Sequence, residues 1–173
     1  MVRAALSQKR NIGQGPVAAA QYWPAFSVML GSLLARLPIV SMNGWFPNFR
    51  FLLLIAWRLL RADAFPAWWG APLGLFNDLV TGSPVGLSVA VWTMAMLMLD
   101  IADQRTQWRG YWLEWAIAAF LLLGQEAAEW RVAQIMSASL PFLSVVPPLM
   151  ISILAFPIAA WSVARIDRWR LGR

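Results

Sequence analysis

The chain has 173 residues, of which 60% are hydrophobic and only 13% charged, and it contains no histidine or cysteine. Soluble domains run at about 45–50% apolar and about 25% charged, and 12 tryptophans in so short a chain are more apolar surface than one small core can hide. The composition therefore excludes a soluble globular domain, a disordered chain, thiol and histidine catalysis and nearly all zinc, haem or iron–sulfur ligation; it fits a protein whose solvent is a bilayer.

Charge-free stretches locate the helices. Residues 11–35, 79–99 and 132–164 carry no charge, and about 20 mostly apolar residues cross the hydrocarbon core. Pro141, Pro147 and Pro148 interrupt the last stretch and leave one helix there. Three further apolar segments, broken only by Arg50 and Arg58, by Asn77 and Asp78, and by Glu114, bring the number of spans to six. The expected boundaries are 17–36, 48–61, 65–80, 85–102, 111–128 and 147–165, with a cytoplasmic arm over 1–16 and a basic tail over 166–173. Arg50 and Arg58, near helix ends, are expected to snorkel to the headgroups.

The fold class predicted is thus all-α: a polytopic membrane protein with about six transmembrane helices and both termini cytoplasmic. Sidedness follows from the lysine and arginine bias. With the N-terminus inside, 11 of the 14 basic residues fall on inner segments and Arg36, Arg50 and Arg131 on outer ones. The net charge of +6 is accordingly a topology signal and an attraction to anionic lipid, not a mark of nucleic-acid binding. The first span follows Arg3, Lys9 and Arg10 but runs past a signal-peptide core, and reads as a retained anchor.

Trp23, Trp45, Trp57, Trp108, Trp112, Trp130 and Trp169 fall at expected span ends and read as interfacial anchors. In the third span Gly70 and Gly74 share a face and permit close approach of a neighbouring backbone, and Pro72 is expected to kink the helix. Asp78 ends that span, where a carboxylate opposes the helix dipole. Two readings stand for it: an acceptor for backbone N–H groups of the turn over 81–86 or of the next helix start, or a partner-binding or ion-coupling acid. Asp100 and Asp103 are expected to form a solvated helix end near Arg105 and Arg109, and Glu126 and Glu129 a wet outer helix end near Arg131. No catalytic, metal or cofactor site is expected.

The steps Trp45-Phe46-Pro47-Asn48-Phe49-Arg50 to Trp57 and Gly74-Leu75-Phe76-Asn77-Asp78 to Thr81-Gly82-Ser83-Pro84-Val85-Gly86-Leu87 resemble the bacterial rod shape-determining protein family MreD. Pro47 and Asn48 match that family's entry to its second helix, Trp57 an aromatic near the far end, and Asp78, Gly82, Ser83 and Gly86 its turn after the third; Phe156-Pro157 and the basic end over 165–173 also fit. Phe46 and Ala56 stand where the family often has arginine and tyrosine. The resemblance implies a helical arrangement like the substrate-binding subunits of energy-coupling-factor transporters. It also implies a non-enzymatic role at the bacterial inner membrane in lateral wall growth. There the chain would bind MreC and link MreB filaments to RodA and its transpeptidase partner, with Pro47, Asn48 and residues 78–86 as the contact region. Two alternatives remain: a vitamin-binding transport subunit, which needs polar groups converging in an outward pocket, and an intramembrane enzyme relying on Glu126 and Glu129.

Overall fold

A computed structural model describes residues 22–36, 46–61, 65–105, 110–136 and 141–170. The N-terminal arm, Lys9, Trp45, Trp108 and Arg109 lie outside the described residues. Within them the chain is all-helical, with six α-helices and no strand: α1 Trp23–Leu34, α2 Phe49–Leu60, α3 Gly70–Thr81, α4 Leu87–Arg105, α5 Tyr111–Ile135 and α6 Val146–Arg170. One stretch, Phe142–Trp169, is long and apolar enough by itself to cross a membrane. The helices alternate in direction. One end, here the top, holds the close of α1, α3 and α5 and the start of α2, α4 and α6. The bottom holds their other ends, where Trp23 meets Trp169 edge-on at 5.3 Å.

The core is built around α2. Eight of its 12 residues are buried, and it packs against α6, α1, α5 and α4. It carries Asn48, Arg50 and Arg58, whose partners come from α4, α5 and α6, and polar groups that must be matched on several sides hold a helix at the centre. Asn48 caps its start, accepting from the Phe51 N–H at 3.4 Å. Because that cap sits level with Ser152, whose hydroxyl accepts from the Asn48 N–H at 2.9 Å, α2 begins about 9 Å below the first residue of α6.

The pair α3 and α4 forms the most extensive helix contact, and its cause is the Gly70/Gly74 face. A Cβ on Gly74 would stand 2.6 Å from the Ser88 carbonyl oxygen, and one on Gly70 would stand 2.8 Å from the Thr93 Cα. The expected kink at Pro72 is replaced by a helix start. A 3-10 turn, Ala67–Trp69, leads into α3, so Pro72 falls in the first turn, where its missing N–H has no partner to lose.

The proline with a structural consequence is Pro157, inside α6. It cannot donate to the carbonyl of Ile153, one turn earlier. The indole Nε1–H of Trp115 donates to that oxygen at 2.9 Å, so a proline on one helix sets a tryptophan contact from another.

Two further expectations are corrected. Trp57 is no interfacial anchor: it is completely buried and its Nε1–H donates to Ser27 Oγ at 2.8 Å, tying α2 to α1. Arg58 does not snorkel. It is 4% exposed and pairs with both Asp100 and Asp103, the latter at 2.7 Å. These acids therefore close on α2 across the bundle; Arg109 lies outside the described residues. Arg61 pairs with Asp167 at 3.0 Å. For Arg58 the reason is burial: an arginine enclosed on a central helix must be neutralised where it stands, whereas Arg61, at the end of α2, keeps 41% of its side chain exposed.

Candidate functional site

The turn between α3 and α4 is held by its acid. Both oxygens of Asp78, which is 1% exposed, are taken: Oδ2 accepts from the Gly86 N–H at 2.8 Å and Oδ1 from the Ser88 N–H at 3.0 Å. Gly82 closes α3 in the left-handed region (φ 71°) and Gly86 opens α4 at φ 105°, where a side chain would be strained. Ser83 Oγ bonds Thr81 Oγ1 at 2.9 Å, and Arg36, just past the end of α1, donates to the Val80 carbonyl. Asp78 thus shapes this turn, and its burial withholds it from outside contact, whereas Gly82, Ser83 and Gly86 reach the surface.

Beside the turn lies a polar cluster drawn from three helices. The Asn48 Oδ1 that caps α2 also accepts from Arg50 Nε at 3.0 Å. Arg50 Nη2 pairs with Glu129 at 3.2 Å, and Gln125 Nε2 donates to the same Glu129 oxygen at 2.6 Å. Asn48 Nδ2 donates to Glu126 Oε1 at 3.4 Å. Glu126 is only 9% exposed and Gln125 not at all. Glu126 is therefore not part of a wet helix end, while Glu129 keeps 28% of its side chain exposed. They turn inward to meet α2, while Arg131, their expected neighbour, sits over the Trp130 ring at 5.9 Å. Arg50 likewise points into the bundle, not to a headgroup.

Because α2 starts low, the last turns of α5 and the first of α6 rise above it and leave a cleft. A compartment of about 230 Å³ is lined by Gly31, Phe46, Pro47, Asn48, Arg50 and the two glutamates, among others. A second, of about 510 Å³, lies against Ser83, Pro84, Leu87, Trp130, Val132 and the same glutamates. Glu126, Glu129 and Pro148 border both. The two segments singled out in the sequence, Pro47-Asn48 and the turn carrying Ser83, thus line one cleft across a shared wall of acids. Trp57 is the exception: its burial removes it from any contact surface.

Sequence reasoning missed Arg50, Gln125 and Ser152 as parts of this site. A signal existed: Gln125, Glu126 and Glu129 fall on adjacent positions of one helix, and Asn48 and Arg50 at the start of another. Their pairing is a tertiary fact. Among the described residues no group of three or more acids is placed to hold a metal ion. No family model, curated protein or solved structure matches the chain.

Proposed function

We propose that the chain is a non-enzymatic scaffold of the bacterial cell-elongation machinery, a six-span inner-membrane protein of the MreD kind. It would bind MreC and thereby join MreB filaments to RodA and its transpeptidase. The membrane part of the proposal is supported by an inverted polarity. Met150, Leu154, Ile158 and Trp161 run exposed along one face of α6, and Met94, Leu97, Met98 and Ile101 along α4, while Arg58, Asn77, Asp78, Ser88, Gln125 and Ser152 are buried. Apolar stripes turned outward and polar groups turned inward suit a lipid solvent and would aggregate in water. The short helices α1, α2 and α3, each about 18 Å long, would cross only part of the bilayer or require it to thin locally.

The observation that carries the scaffold role is the meeting of Pro47-Asn48 and Ser83 on one cleft. Segments distant in sequence that resemble one family converge on a single surface, at the end that the arginine bias assigns to the outside. Depleting the protein in its host tests this: rods should swell or round up, and MreC should copurify with the wild-type chain. Unchanged morphology after clean depletion refutes it.

A second reading, a substrate-binding transport subunit, is favoured by one specific observation, the convergence of Asn48, Arg50, Glu126 and Glu129 on a cavity. A tightly bound small molecule copurifying with the protein, without MreC, would select that reading.

A further inference from the structure

The cleft above α2 has more acceptors than donors. Its charged groups are one guanidinium, Arg50, and two carboxylates, Glu126 and Glu129. Arg50 pairs with Glu129 at 3.2 Å, which leaves Glu126 as the acid of the cleft without an ion pair. Glu126 meets only the Asn48 amide among the described residues, at 3.4 Å. A buried carboxylate without an ion pair is costly in a low-dielectric interior. One donor-rich positive group on the cavity side relieves it.

The shape agrees. Beyond the two acids, the 510 Å³ compartment is walled by Leu87, Val132, Val145 and the Trp130 ring. An aromatic wall and aliphatic neighbours suit the stem of an organic cation. An anion would face two carboxylates, and a metal ion would find no third acid among the described residues.

We propose that this cleft binds an organic cation, an ammonium or guanidinium group on an apolar stem, with Glu126 as its counter-charge and Trp130 beside the stem. The cation is supplied either by a lysine or arginine side chain of a partner chain or by a free amine; the chemistry is shared. The inference rests on the cleft and is independent of the scaffold role.

The test uses the full chain purified in detergent. Thermal unfolding is followed against rising n-butylammonium and n-butylguanidinium, with n-butanol and butyrate as controls. The two cations should raise the midpoint saturably and the controls should not. Glu126→Gln should weaken the cation response about tenfold or more, while Glu114→Gln, at the other end of α5, should leave it unchanged. Should Glu126→Gln fail to fold, Leu87→Phe keeps the charges and narrows the compartment. It should then weaken n-hexylammonium more than n-butylammonium. Equal responses to n-butanol and n-butylammonium, an unaltered affinity in Glu126→Gln, or no discrimination by stem length in Leu87→Phe would overturn the proposal. A photocrosslinker at position 132 in cells identifies the source. A protein adduct displaced by n-butylammonium assigns a partner side chain, and an amine copurifying with the wild type but not with Glu126→Gln assigns a free ligand.

Discussion

The two ends of α2 pose the same problem and solve it differently. Arg50 and Arg58 stand about 12 Å apart on one helix, and each meets acids from later helices. At the bottom, Arg58 is matched by Asp100 and Asp103 and is almost wholly buried. At the top, Arg50 is matched by Glu129 while Glu126 faces a cavity. Closed, buried pairing is what a structural clamp needs; an acid left on a cavity wall is what a binding site needs. The difference separates charge used to hold helices together from charge left available to something else.

The comparison can be broken most forcefully at the bottom. Arg58→Met removes the cation that both aspartates share and should destabilise the protein by about 3–5 kcal/mol, read as a lowered unfolding midpoint in detergent. Replacing Asp100 and Asp103 by leucine in the same variant should recover most of that loss. If Arg58→Met is silent, the bottom is no clamp. Gly74→Ala comes next, because its methyl group meets the Ser88 carbonyl and must part α3 from α4, at a cost of about 1–3 kcal/mol. A similar loss is expected from Trp115→Phe, about 1–3 kcal/mol for the unpaired Ile153 carbonyl, and it should vanish when Pro157→Ala restores the helical donor. Asp78→Ala should cost about 1–2 kcal/mol, with amide exchange at Gly86 and Ser88 rising first. The smallest change belongs at the top: Glu126→Gln keeps an oxygen for Asn48 and should shift stability by less than about 1 kcal/mol. A large loss there would make the top end a second clamp and erase the distinction.

Much of this architecture is legible from local pattern. Charge-free runs mark where helices lie, the Gly70/Gly74 spacing announces a close backbone contact, and an acid at a helix C-terminus followed by Gly82 and Gly86 calls for donors from the next turn. The errors share one cause. Distance from a helix end places Trp57, Arg50, Arg58, Glu126 and Glu129 at an interface, a rule that holds only for helices on the outside of a bundle. Once α2 occupies the centre, its tryptophan finds Ser27 and its arginines find carboxylates.

The amino-acid order by itself determined that the described residues are helical, because composition and periodicity act over a few turns at most. Which helix lies in the middle, which acid meets which arginine, and that Pro47 and Ser83 border one cleft were decided by packing. Those outcomes depend on six helices excluding one another from the same space, and on the low start of α2, which leaves room above it that no local pattern encodes.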